Sequence, residues 1–241
     1  MGKTYGVRIA MHAAFGKDGW VDDRLRIAIG SDEWNDLVEN QLESGALPEL
    51  HLPDGSVVCQ SHVIARWAAA MARENSAHDL YPSDPTKAML VDEVVAFAHE
   101  VLEKAPNGRA LGPGESLKEK REAFMNGGFL QKACDLLERR LDAVDSPFFG
   151  DVMTIADLCA TGLVRMILSG QFDHIPAEWM ANGYPKLVAM AEATDASELA
   201  QSYYAAIADE PWKAELKVAI CILKMMNFAL KMVHSVFKMM N

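Results

Sequence analysis

The spacing of apolar residues changes period twice between residues 45 and 73. Glu49 to Leu52 alternates polar and apolar side chains, the pattern of a half-buried strand. Pro53-Asp54-Gly55 joins a fixed φ, a turn-forming side chain and a permissive glycine, so the chain reverses there. Ser56 to Cys59 is the return strand, and Ser61 to Arg73 has helical spacing. Upstream, Gly6 to Ala14 reads as a helix through Val7, Ile9, Ala10 and Ala13. Asp22 to Ile29 sets Arg24 and Arg26 against Leu25, Ile27 and Ile29 and predicts a strand. Ser31 to Val38 predicts a short helix or turn with Ser31 as N-cap. Residues 74–83 are polar and read as a linker.

From Pro85 onward the pattern is helical throughout. Leu90, Val94, Val95, Ala98, Val101 and Leu102 mark a helix over Met89 to Glu103. Pro106 to Gly114 is a loop, and one long helix is expected over Glu115 to Ala143. Thr154-Ile-Ala-Asp157 places an N-cap hydroxyl three residues before an acid, the order of a capping box, ahead of a buried helix over Leu158 to Leu168. Gly170 to Pro185 reads as irregular. Two shorter helices are expected over Pro185 to Ala193 and Ser197 to Ala208.

Composition narrows the function classes. Half of the 241 residues are hydrophobic, enough for a sizeable core, and the formal charge is −11, which argues against a nucleic-acid surface. Cys59, Cys134, Cys159 and Cys221 form no CxxC pair and no metal spacing. They read as reduced thiols of a cytoplasmic protein. No secretory leader and no apolar run of membrane-spanning length is expected.

The chemistry concentrates at the hairpin and the helix after it. The first N–H groups of the Ser61 helix lack partners inside it, and that end carries a partial positive charge. A carboxylate would be held there, with Ser61 Oγ and the Gln60 amide adding donors. A cis bond before Pro48 would turn the Leu47 backbone toward a bound peptide.

The ordered set Gly-x-Leu-Pro, Asp-Gly, Gln-Ser-x-x-Ile-x-Arg over residues 45–66 resembles the glutathione-binding half of the cytosolic glutathione transferases. Thr154 to Asp157 resembles that family's capping box, and Gly170 to Pro176 with Tyr184-Pro185 resembles its sigma-like branch. The resemblance implies an α/β thioredoxin-like domain over residues 1–74, a truncated one lacking its first strand, and an all-α helical domain over 84–210. It implies that the Leu47 backbone, beside Pro48, pairs with the cysteinyl part of glutathione, and that Gln60 and Ser61 bind the γ-glutamyl carboxylate. Lys3 falls where a glycyl-carboxylate contact is expected, or is a solvated lysine. Trp34 resembles a tryptophan lining the site. Asp92 resembles an acid that meets the γ-glutamyl amine across a dimer, or is a solvated acid.

The residue that activates sulfur in the family would precede Met1 on this register. Tyr5 is the candidate substitute, with a structural role as the alternative. The implied function is a dimeric glutathione transferase that conjugates glutathione, its co-substrate, to a small electrophilic or hydrophobic substrate. The alternative is a non-catalytic binder of glutathione or a hydrophobic ligand. No metal is implied.

Residues 211–241 depart from the resemblance. Lys217, Lys224, Lys231 and Lys238 recur every seven residues in an otherwise apolar tail, which on a helix gives a narrow polar stripe. Five of the 23 basic residues and one of the 34 acidic ones lie in 212–241, so the remainder carries −15. Such a helix could cover the helical domain, meet a membrane surface or partner, or not be native coding sequence.

Overall fold

A computed structural model describes residues 2–24, 27, 30–76 and 78–208. Residues 2–200 make one compact unit, and the second unit begins at Gln201. The tail from residue 209, with every reading offered for it above, lies outside the described residues.

Helix α1 (Gly2–Phe15) opens the described chain, four residues earlier than its apolar spacing predicts. Its first turns carry Gly2 and Gly6, which apolar periodicity does not register. Both are contact surfaces against α7 (Ile155–Leu168). The strand expected over Asp22 to Ile29 is not found in its described part: Asp22, Asp23, Arg24 and Ile27 lie outside any strand. Asp22 is instead held from two sides, by Arg8 Nε at 2.9 Å and Arg24 Nη2 at 2.5 Å. Helix α2 (Asp32–Asp36) starts as expected, with Trp34 N–H donating to Ser31 Oγ at 3.1 Å. It runs into a π-helical turn, Leu37–Gln41, whose Asn40 and Gln41 amides donate to Asp36.

The hairpin forms as read. β1 (Glu49–His51) pairs antiparallel with β2 (Val57–Cys59), setting Glu49 opposite Cys59. Gly55 closes the turn at φ +88°, a conformation that glycine adopts without a Cβ penalty. Among the described residues these two strands are the whole sheet. Helix α3 (Ser61–Asn75) follows directly and packs along α1 through small side chains: Ala10, Ala65, Ala68, Ala69 and Ala72 are fully buried.

After the linker come α4 (Pro85–Lys104), α5 (Leu117–Met125), α6 (Phe129–Asp142), α7, α8 (Ala177–Gly183), α9 (Pro185–Ala196) and α10 (Glu198–Ala206). The single helix expected over 115–143 is two helices. Gly127 sits at φ +79°, and a Cβ on Gly128 would lie 2.3 Å from the Ala123 carbonyl oxygen, so the chain turns here. Apolar spacing continues across the break, which hid it. The irregular reading of 170–185 also yields to structure, because α8 occupies its second half.

Helix α7 is the axis of the helical region. Ile155, Leu158, Leu163 and Ile167 are 0–1 % exposed. It contacts α1, α4, α8 and α9. Helix α9 is tied to α6 by charge: Glu138 accepts from the Lys186 and Leu187 N–H groups at 2.9 Å each, capping α9 from outside. Tyr184 OH donates to Asp135 at 2.9 Å beside it. No helix among the described residues is long and apolar enough to cross a membrane.

Candidate functional site

The hairpin delivers the chain to the start of α3 in a constrained state. Gln60, the residue before the helix, sits at φ 78° and ψ 103°. A left-handed φ at a side chain without local capping costs about 1–3 kcal/mol and is retained where the surroundings require it. Gln60 makes no side-chain cap, although its carbonyl already accepts from Ile64 N at 3.1 Å. The starts of α2, α4, α5 and α7 are different. Each is capped by its own preceding side chain: Ser31, Asp84, Ser116 and Thr154. At α3 the Ser61 and His62 N–H groups belong to the unpartnered first turn, with Gln60 exposed before them and Ser61 5 % exposed. This geometry suits an anionic oxygen acceptor.

The other expected residues are placed as follows. The Leu47–Pro48 bond is cis, and Leu47 is 43 % exposed just before β1. Trp34 is half-buried on α2. Lys3, in the first turn of α1, pairs with Glu103 of α4 at 3.3 Å. Asp92 does not stand as a solvated acid. It accepts from Tyr81 OH at 3.0 Å and pairs with Arg66 of α3 at 3.1 Å, while its Oδ1 is buried without a hydrogen-bond partner. Tyr5 is 8 % exposed; its hydroxyl bonds to Asp195, and Arg165 lies over its ring at 5.3 Å. That hydroxyl is engaged with α9.

Two features escaped the sequence reading. Glu49, directly after the cis bond, has a side chain only 2 % exposed; it accepts from Ser44 N at 3.3 Å and lies 3.7 Å from Cys59 Sγ. His62 and His99 pack edge to face with centroids 5.5 Å apart, joining the first turn of α3 to α4. Only the position of His62 beside Ser61 signalled it. Among the described residues no group of His, Cys, Asp and Glu has metal-site geometry. A cavity of about 400 Å³ opens elsewhere, between the end of α6 and α9 near Leu141, Pro147 and Met190. It shares no residue with the α3 mouth.

No protein-family model and no curated protein matches the chain. Solved structures do share its fold. A glutathione transferase homologue from Sulfitobacter, crystallised with bound glutathione, aligns with a TM-score of 0.61 at 19 % identity, over 83 % of this chain and 91 % of its own. Maleylacetoacetate isomerase from Methylobacterium extorquens, with bound malonate and glutathione, aligns at 0.64 and 18 % identity over 86 % and 93 %. Prostaglandin synthase D of Nilaparvata lugens aligns at 0.65 and 15 % identity over 87 % and 94 %. The fold is thus that of the glutathione transferases: a thioredoxin-like half, here represented by the hairpin with α1 and α3, followed by a helical half.

Proposed function

We propose that this chain binds glutathione at the mouth of α3 and is a glutathione transferase-like protein of the cytoplasm. The observation that carries the reading is Gln60, held at φ 78° before a helix start that its own side chain leaves uncapped. The γ-glutamyl carboxylate meets the Ser61 and His62 N–H groups, the Gln60 amide and Ser61 Oγ. Leu47, next to the cis bond, offers its backbone to the cysteinyl part. Trp34 and Lys3 flank the site in this reading, and residues 1–74 are the ligand-binding half. That three fold neighbours include two crystallised with glutathione supports the ligand.

Two activities fit this site. Transfer of glutathione to a small electrophile, as in detoxification, is the first. A non-catalytic binder of glutathione or a hydrophobic ligand is the second, and the engagement of Tyr5 OH by Asp195 favours it, because a sulfur-activating hydroxyl must reach the thiol. Replacing both Gln60 and Ser61 by alanine is expected to weaken glutathione binding by about 1.5–3 kcal/mol, the scale of hydrogen bonds to charged groups. Isothermal calorimetry reads this. Unchanged affinity in the double variant, or no heat with the parent, defeats the proposal; a conjugation assay then separates the two activities.

The partners follow from exposed surfaces. Met89 and Leu90, adjacent near the start of α4, are 61 % and 48 % exposed, which supports a second copy as the partner along α4. Asp92 would then act across that interface only after leaving Arg66 and Tyr81. The basic stripe of residues 212–241 supports contact with an anionic membrane surface. The full chain is expected to pellet with vesicles containing phosphatidylserine, and a version ending at residue 211 is not. Equal pelleting of the two excludes the tail as the contact.

A further inference from the structure

His99 is buried at 5 % exposure in the last third of α4. Its Nδ1 lies 2.9 Å from the Val95 carbonyl oxygen, which only accepts, so Nδ1 carries the proton. Nε2 is then a lone-pair acceptor, and it is buried with no hydrogen-bond partner. The ring that faces His99 belongs to His62, one residue beyond Ser61. Lys3 from α1 and Glu103 from the next turn of α4 complete the charged groups around the pair, with Arg66 near His62. Three helices therefore meet here, and two of them begin here.

We propose that the His62–His99 pair is an acid-sensitive latch on the glutathione site, closed when both rings are neutral and opened by their protonation. This rests on the binding reading above and adds its regulation. With neutral rings, α1, α3 and α4 pack together and the mouth of α3 is fixed. Protonation of both would place two imidazolium rings 5.5 Å apart, beside Lys3 and Arg66. The carboxylates beside these groups are already committed: Glu103, half-exposed, is paired with Lys3, and Asp92 is paired with Arg66. A buried cation with no counter-charge is expensive, and the cheapest relief is separation of α3 from α4. His62 adjoins Ser61, so its displacement carries the ligand's N–H donors with it.

The direction of titration agrees. Burial, then the nearby His62 and Lys3, hold His99 below its ordinary value, against the pull of its Val95 bond and of Glu103. Burial, then Arg66, does the same to His62. For a histidine depressed in the fold, the unfolded chain takes up the proton first. The latch's stabilising contribution is therefore whole above the ordinary value of 6.5 and is lost as pH falls below it toward the folded values. His12 is depressed too and adds to acid loss, whereas Asp157, pushed up to about 6, opposes it. Both are common to the proteins compared below.

The test uses the full chain and its His99→Phe variant, which keeps an aromatic ring against His62 and removes the titrating group. Thermal melts without glutathione are recorded from pH 7.5 to 5.5, and glutathione affinity is measured by calorimetry at both ends. The parent is expected to lose glutathione affinity steadily across that range, and to lose melting temperature with it. His99→Phe is expected to bind like the parent at pH 7.5 and to show a distinctly smaller loss on both readouts. Equal losses in the two proteins overturn the latch. Should His99→Phe not fold, His99→Leu, which also removes the titrating ring and leaves the first turn of α3 untouched, replaces it with the same expectation. If glutathione binds at neither pH, the ligand reading fails, and the difference in melting slopes alone decides whether the pair senses acid.

Discussion

Gly162→Ala is expected to lower stability by about 2–3 kcal/mol, and Gly162→Val by more, the range for overpacking a core that cannot yield. A Cβ on Gly162 of α7 would lie 2.5 Å from the Gly2 carbonyl oxygen and 3.0 Å from Tyr5 Cβ of α1. The nearest obstacle is backbone, so no side-chain rotation relieves it. Gly6 makes the reciprocal approach, since its Cβ would meet Cys159 Sγ at 2.8 Å and Cys159 N at 3.2 Å. Glycines on both helices thus set how close α1 and α7 run. That spacing also fixes Tyr5 under Arg165 and against Asp195. Because α1 carries Lys3 to the start of α3, the variant is expected to weaken glutathione binding as well. Gly183→Ala is the control, with nothing within 4 Å of the added Cβ and no positive φ. Urea unfolding of the three proteins gives the comparison. A Gly162→Ala midpoint equal to that of Gly183→Ala would show that α1 adjusts freely and that the crossing is not tight.

This crossing also shows where sequence reading stops. The hairpin, its turn and the start of α3 were legible because each is decided locally, by alternation over four residues, by Pro53-Asp54-Gly55, and by Gln60-Ser61 before a helical run. Thr154 and Asp157 were legible for the same reason. The resemblance carried the fold further than the pattern could, and the structural neighbours bear that fold out. What failed was contact over long separation. Nothing near Gly2 or Gly6 announces Met166 or Cys159, far along the chain, as a partner, and glycine contributes nothing to apolar periodicity. Nothing near Tyr5 announces Asp195. The break at Gly127-Gly128 was overridden by a hydrophobic stripe that resumes in phase on its far side. Alternation places Asp22 in a strand, whereas the charges of Arg8 and Arg24 decide its place. At the candidate site the donors were legible as chemistry, but the left-handed φ of Gln60 and the burial of His99 are properties of the folded chain.

Asp157 carries the second large effect. Its Oδ2 accepts from Thr154 N at 2.7 Å and from Thr154 Oγ1 at 3.1 Å, and its Oδ1 accepts from Phe149 N at 2.9 Å. One carboxylate thus completes the capping box of α7 and pins the 143–154 loop across the helix start. The residue is 0 % exposed, so Asp157→Ala leaves the buried Thr154 N–H and the half-buried Phe149 N–H without this acceptor and frees the Thr154 hydroxyl, at a cost of about 2–4 kcal/mol. Asp157→Asn keeps one acceptor oxygen but turns an NH₂ toward donors, and it is expected to recover only part of the loss. Burial outweighs the three hydrogen bonds and pushes the carboxyl up to about 6 from 3.8. A raised acid in the fold binds its proton before the unfolded chain does. Its stabilising contribution is complete below 3.8 and is lost as pH rises through about 6. The penalty for Asp157→Ala is therefore expected to be about 1 kcal/mol larger at pH 5 than at pH 7. Chemical denaturation of parent and variant at the two pH values measures it. A penalty that is larger at pH 7 would mean that the hydrogen bonds, not burial, set the charge of this group, and that α7 starts on a carboxylate ionised throughout.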